Sequence, residues 1–416
     1  MVTTFYPPYN FGGDGIYIYR LSNELARRGH RVDVIHCADA YQSLHHGPPA
    51  NPAGFPNHPN VRVHTLKSKV GLLSPLATQQ TGLPLFKSKV LREVLEGQAF
   101  DVIHFHNISL VGGPKVLDYG SPGAIKLYTT HEHWLVCPMH VLWKYNREVC
   151  KSKACFTCSL SFKRPPQLWR YSSFLRHKLA QVDAFISPSR FTMHKHREYG
   201  MELPMVHLPY FLPRSEEDAE SREDLPVQIR PYFLFVGRLE KIKGLQNLIE
   251  VFKNYDKADL LVAGDGDYGP TLRQQAAGMT NVKFLGRLNH AQLRSLYRGA
   301  RAVIVPSICY EVFGIIIIEA FALATPVIAH DLGALPEVIE DSGGGFTYRD
   351  KAGLVEVMDR FMDEPQLRQQ LGQKGYQAYL EYWTEEPHLR QYFGLIGEIR
   401  ARKEALDTED TEKAQR

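Results

Sequence analysis

The sequence predicts an α/β protein made of two doubly wound, Rossmann-like parallel sheets that face a central cleft. Three observations predict it. Short β-branched runs alternate with helical patterns along nearly the whole chain, the order that buries parallel strands beneath helices on both faces. The alternation runs twice, on either side of a polar, proline-bearing stretch at residues 209–230. The 416 residues also exceed one ordinary core, at roughly 100–200 residues per domain.

In the first half, residues 31–36, 102–106, 125–130 and 184–187 read as buried strands. Only residues 1–6 precede Pro7-Pro8, so the first strand is abbreviated and the natural chain is expected to begin upstream. A glycine-rich turn through Gly12, Gly13, Asp14 and Gly15 joins it to a helix carrying Leu21 and Leu25. In the second half, residues 232–236, 259–263, 282–284, 302–305 and 326–329 repeat the scheme. The expected division is a first domain over 1–208, with a cysteine-bearing insertion at 137–158, and a solvated linker over 209–230 containing Pro213, the acidic run 215–220 and Pro226. A second domain follows over 231–385. Residues 386–416 are expected to form a helix packing back on the first domain, with 401–416 a frayed end or disordered tail.

Hydrophobic residues at 44% and charged residues at 23% exclude wholesale disorder. The formal charge of +4 is spread over the chain rather than gathered into one block, so nucleic acid is not an expected partner. No run of 18 apolar residues and no secretory leader occurs, which reads as a soluble, cytoplasmic protein. Residues 161–178 interleave aromatic and basic side chains, suiting either peripheral contact with the inner membrane face or a polyanionic acceptor, or a helix with one buried face. Residues 70–82 either line an acceptor cleft or form a mobile loop. Cys137, Cys150, Cys155 and Cys158 supply four donors and one CxxC pair; structural zinc, free thiols and disulfides are the alternatives.

The most informative segment is Glu311-Val-Phe-Gly-Ile-Ile-Ile-Ile-Glu319, after the strand at 302–305. A strand, a glycine loop and an apolar helix turn first-turn N–H groups toward the cleft, where a diphosphate would bind. Glu311 in the loop and Glu319 about a turn and a half along the helix can approach one ligand at two heights, one carboxylate for sugar hydroxyls and one for a ribose.

Glu-x7-Glu with Phe-Gly inside, followed by Ala-Phe-Ala-Leu-Ala-Thr-Pro-Val-Ile-Ala, resembles glycosyltransferase family 4, and the likeness runs through almost the whole chain. The resemblance implies the GT-B fold and retaining transfer from a nucleotide-diphosphate sugar. It implies that Arg238 and Lys243, in Gly237-Arg-Leu-Glu-Lys-Ile-Lys243, clamp the donor diphosphate; two fixed cations suit a leaving group that gains negative charge. It places Arg287 near the nucleobase and Gly333–Glu337 on the donor side. It carries His131, in Thr129-Thr-His131-Glu132-His133-Trp134, to the reacting sugar, with Glu132 where the family has aspartate and His133 as competitor. Gly13, Asp14, Gly237, Val312, Phe313, Gly314, Ile315 and Glu319 complete the implied donor contacts. Asp265-Gly-Asp267, which elsewhere would suggest Mg²⁺, matches the family's ordinary turn.

The expected catalytic residues are therefore His131, Glu311, Arg238 and Lys243. No catalytic cofactor is expected, and the acceptor is a glycan, a lipid-linked molecule or a small molecule. A GT-B nucleotide-sugar epimerase, a non-catalytic nucleotide-sugar-binding protein and a zinc-centred interaction module are the rival readings.

Overall fold

The structure is a computed structural model that describes residues 1–45, 49, 54–214 and 230–414. The acidic run 215–220 and Pro226 of the expected linker lie outside the described residues. The first half contains α1 (Gly13–Arg27), β1 (Val32–Cys37), α2 (Ala38–Leu44), β2 (Val61–Leu66), α3 (Leu73–Thr81), α4 (Ser88–Glu96), β3 (Val102–Phe105) and β4 (Ile125–Thr129). A two-residue antiparallel pair, β5 (Trp143–Lys144) and β6 (Glu148–Val149), is followed by α5 (Cys155–Ser161), α6 (Phe174–Leu179), β7 (Ala184–Ser187), α7 (Arg190–Glu198) and β8 (Met205–His207).

Strands β3-β4-β7-β8 form one parallel sheet and β1-β2 a parallel pair. Val2 bridges Ile35 of β1 and Phe105 of β3, both in parallel, so the first residues are the central rung that unites them. Counting that rung as the first strand, the chain runs outward to one side and then crosses to the other, which is doubly wound topology.

The second half contains β9 (Tyr232–Val236), α8 (Leu245–Phe252), β10 (Asp259–Ala263), α9 (Gly269–Gln275), β11 (Val282–Gly286), α10 (His290–Gly299) and β12 (Val303–Val305). There follow α11 (Ile315–Phe321), β13 (Val327–His330), α12 (Leu335–Ser342), β14 (Gly345–Tyr348), α13 (Lys351–Asp363), α14 (Pro365–Tyr382) and α15 (Glu385–Ala414). The sheet order β11-β10-β9-β12-β13-β14 is fully parallel and reverses between β9 and β12. Ligands of such sheets bind outside the strand ends at that reversal. The β9 strand is followed by Gly237-Arg238, and β12 by residues 306–314, so the topology alone brings the two expected donor loops together.

The strands are apolar because both sheet faces are covered: β10 is buried at all five positions. Helix α1 buries Tyr17, Ile18, Leu21 and Leu25, one stripe at helical spacing. Three parts of the sequence reading change. Strands β2, β8 and β14 were not expected; they are short edge strands, partly exposed, whose mixed polarity hides them. Residues 73–81, read as cleft lining or loop, are helix α3, closed by Gly82 at φ +71°. The start of the expected linker is not solvated: Tyr210 and Phe211 are buried, and Leu212 N–H donates to Trp383 O at 2.9 Å.

Helix α15 spans about 45 Å at 1.5 Å per residue and returns across the first half. There Tyr392 hydroxyl meets His104 Nδ1 at 3.1 Å, His388 meets the Tyr17 hydroxyl at 3.1 Å, and Lys403 pairs with Asp183 at 2.8 Å.

Candidate active site

Two close backbone approaches build the donor loops. Gly244, at φ +77°, lies so near the neighbouring loop that a Cβ there would sit 1.8 Å from Pro306 O, and Ile308 N–H donates to Ile242 O at 2.9 Å. Gly333, at φ +71°, packs against the backbone of Tyr310 and Glu311, and Ala334 N–H donates to Glu311 O at 3.2 Å. The turn after β9, the loop after β12 and the loop after β13 are thereby one unit.

At its centre Lys243 Nζ donates to Glu311 Oε1 at 2.7 Å, and Ser307 Oγ donates to the same oxygen at 2.6 Å. Burial pushes the Glu311 carboxyl up, but Lys243, Ser307 and Arg238 outweigh it and hold it below the usual glutamate range. Lys243 is likewise pushed down by burial and, on balance, raised by Glu311. Arg238 is exposed and bonds Glu240 at 2.7 Å, which leaves its guanidinium able to turn toward an incoming anion.

Asp14 enters the cleft from the start of α1. Burial and the Glu132 charge raise its pKa, while the Gly15 N–H and Arg238 act the other way, so Asp14, Glu132 and Arg238 share one electrostatic neighbourhood. A Cβ on Gly13 would lie 3.6 Å from Ile315 Cγ2, so the α1 start abuts the α11 start. Asp14, Glu132, Arg238, Lys243 and Glu311 therefore converge from both halves. Arg287 is exposed and faces Tyr41 of the first half electrostatically. Gly237 carries the extreme φ of +155° at the end of β9. A Cβ on Gly314 would meet Ile317 Cδ1 at 2.8 Å, so that side chain would have to shift.

Glu319 stands apart from the Lys243–Glu311 pair. Tyr297 hydroxyl donates to it at 3.0 Å, and Arg20 of α1 lies 3.7 Å away, an ion pair between the halves.

His131 is buried, and both its ring nitrogens are engaged: Nε2 with His106 Nδ1 at 2.9 Å and Nδ1 with the Tyr210 hydroxyl at 2.6 Å. Burial pushes its pKa down to about 3, so the ring is neutral at physiological pH. Tyr210 stacks edge-on against Phe313 at 5.3 Å, which connects His131 to the donor loop. The competitor His133 is fully buried next to His196. Asp265 bonds the N–H of Gly266 at 2.9 Å, an ordinary turn.

Sequence reading missed three partners, Ser307, Tyr210 and His106, and named Glu132 without giving it a role. His104 and His106 alternate on one strand face, a period-2 signal that was available. Tyr210 was hidden in a segment read as linker.

Around the cysteine insertion, Cys137, Cys150, Cys155 and Cys158 line one small apolar cavity with Met139 and Trp143, and none of the four forms a disulfide. Among the described residues no three His, Cys, Asp or Glu side chains stand as a group able to hold a metal ion. Cys150 Sγ lies 3.4 Å from Ser152 O.

A second contact zone lies at the start of α7. Ser189 Oγ caps the helix by accepting from Thr192 N–H at 3.1 Å and also donates to Val312 O at 2.7 Å, and Thr192 Oγ1 donates to the same carbonyl at 3.1 Å. Glu337, from α12, accepts the N–H groups of Arg190 at 2.8 Å and Phe191 at 2.9 Å. A cavity of about 280 Å³ beside it, lined by Arg190, His207, Glu337, Asp341 and Trp383, contains none of the converging charges.

Two family models match the chain, Glycosyltransferase Family 4 over residues 11–209 and Glycosyl transferases group 1 over residues 217–378. The chain is similar to an uncharacterized glycosyltransferase of Methanocaldococcus jannaschii, 28% identical over 83% of this chain and 83% of that protein. It is also similar to the D-inositol 3-phosphate glycosyltransferase of Thermobifida fusca, 26% identical over 88% of this chain and 83% of that one. Among solved structures, sucrose-phosphate synthase from Thermosynechococcus elongatus superposes with a TM-score of 0.71 over 96% of this chain and 98% of that chain, at 21% identity, a likeness of fold. Among the described residues no helix is long and apolar enough to cross a membrane.

Proposed function

The chain is a GT-B glycosyltransferase of the family 4 and group 1 kind that uses a nucleotide-sugar donor, and from that premise we propose that it transfers the sugar with retention, without a catalytic metal, at the cluster of Glu311, Lys243 and Arg238. The observation that supports this reading is the convergence of Asp14 and Glu132 from one half on Arg238, Lys243 and Glu311 from the other.

In this proposal the donor diphosphate displaces Glu311 from Lys243 and Glu240 from Arg238, and the two released cations take the phosphate oxygens. Glu311 then holds the sugar hydroxyls. Glu319, with Arg20 and Tyr297 beside it, takes the ribose. As the bond from the anomeric carbon to the phosphate oxygen lengthens, negative charge grows on the diphosphate, and the two cations stabilise it more than they do the ground state. His131 exchanges its Tyr210 partner for the sugar. The acceptor hydroxyl, entering beside Asp14 and Glu132, attacks from the face the diphosphate leaves and gives its proton to that leaving group. The acceptor class is a glycan, lipid-linked or small-molecule hydroxyl.

The test is transfer from a panel of nucleotide sugars by wild type, Glu311→Ala and Lys243→Ala. Each variant is expected to remain folded, with some loss of thermal stability from the unpaired partner, and to lose roughly 10²–10³-fold or more in kcat. Near-normal rates in both would overturn the assignment. Interconversion of donor without acceptor would identify an epimerase instead.

A further inference from the structure

Of the sixteen exposed large apolar side chains among the described residues, seven lie between Val70 and Val90 and four between Phe156 and Tyr171. The two stretches are one surface. Trp169 Nε1 donates to Gln79 O at 3.0 Å, Gln80 Nε2 donates to Pro165 O at 3.3 Å, and Gly82 packs against Phe174 and Trp169. Leu73 at 62% exposed, on α3, and Leu168 at 68%, on the 3-10 turn Leu168–Tyr171, head the apolar group. Isolated exposed leucines need no explanation, but a contiguous group on two packed segments marks a contact surface.

The same segments are basic. Residues 61–92 contain six Lys and Arg, residues 149–182 seven, and neither contains an Asp or Glu. Thirteen positive charges thus stand against a net charge of +4 for the whole chain, so the rest of the molecule is acidic; Lys87 is buried, Arg170 lies between Trp134 and Trp169, Lys178 pairs with Asp118, and the other ten are exposed. Lys67, Lys69, Lys163, Arg164 and Arg176 are exposed.

We infer that this face, formed by α3, the turn to α4 and the segment from α5 to α6, docks on the surface of an anionic lipid bilayer. Leucine and aromatic side chains would enter the interface while lysines and arginines meet the headgroups. A second copy of the chain is a poorer occupant, since self-pairing would set like charges opposite each other. The face adjoins the cleft: Arg170 stacks 4.8 Å from the Trp134 ring and 4.7 Å from the Trp169 ring, and it feels the Glu132 charge. Docking would hold the acceptor side of the cleft near the bilayer. The inference rests on this surface and not on the transferase reading.

The experiment is flotation of the full-length protein with phosphatidylcholine vesicles and with vesicles containing 30% phosphatidylglycerol, at low and high salt, alongside the Leu73→Asp/Leu168→Asp and Lys163→Glu/Arg164→Glu variants. Wild type is expected to bind the anionic vesicles roughly tenfold better than the neutral ones and to be released by salt. Both variants are expected to lose most binding while keeping the wild-type melting temperature and donor turnover on a water-soluble acceptor. No binding to anionic vesicles, or binding equal in wild type and both variants, overturns the inference. So does a dimer in ultracentrifugation that the leucine variant abolishes, which would assign the face to a second copy.

Discussion

A histidine with both ring nitrogens occupied is a neutral, oriented group and not a free acid or base. With its pKa pushed down by burial to about 3, His131 stays uncharged across the working range. The pH–rate profile is therefore expected to show no limb near 6.5 arising from this residue, and nitrogen-15 NMR of the imidazole should find it neutral at pH 5. At Gly244 the constraint is steric. Replacing it by alanine drives a methyl into Pro306 O at a positive φ, which should cost roughly 1–3 kcal/mol of stability and weaken donor binding by displacing Lys243; calorimetry and donor titration read the two effects separately. Glu311 was legible as a candidate from its place in a glycine-bearing loop after a strand, and Arg238 and Lys243 only through the family resemblance that their segment carries. Ser307, Tyr210 and Glu132 were not, because their roles depend on which side chains the fold sets opposite them.

At the scale of elements, α7 couples the halves. Its capping serine and its first-turn threonine both hold Val312 O in the donor loop, and its first N–H groups rest on Glu337 in the first turn of α12. Removing the carboxylate leaves two N–H groups without their partner in an interface, at roughly 1–3 kcal/mol. Glu337→Ala is expected to lower kcat/KM about tenfold or more through donor KM, whereas Glu337→Gln, which keeps an accepting oxygen, should retain most activity; steady-state kinetics at saturating acceptor distinguish the two. Central strands such as β9 and β10 were readable as apolar runs. Edge strands β8 and β14, and helix α3 with its exposed leucines, were not, since half-exposed segments lack the contrast that periodicity needs.

For the whole molecule, the interior of the first half carries a set of neutral histidines. Burial lowers His36, His196 and His388 to about 4 and His131 to about 3, against about 6.5 in an unfolded chain. Between those values the unfolded state binds more protons, so stability is full above pH 6.5 and is lost as pH falls toward 4, by about 1.4 kcal/mol per pH unit for each histidine that titrates. Calorimetry should show the melting temperature dropping steeply from pH 6.5 to 4.5, and His36→Gln or His196→Gln should flatten that slope. The fold class was legible because two βα series with a break between them admit few arrangements. The charge distribution was not, because residues 61–92 and 149–182 become neighbours only after folding.

The return of α15 across the first half sets the order in which the protein can be completed on the ribosome. His104 and Tyr17 wait for Tyr392 and His388, which are made only after the entire second sheet. At translation rates of about 5–20 residues per second, some 180 residues separate the last strand of the first sheet from these partners, a delay of roughly 9–36 seconds. During that interval the nascent first half exposes the groove that α15 later fills, and a chaperone that shields this groove should raise the yield of active protein more than one acting on the finished chain.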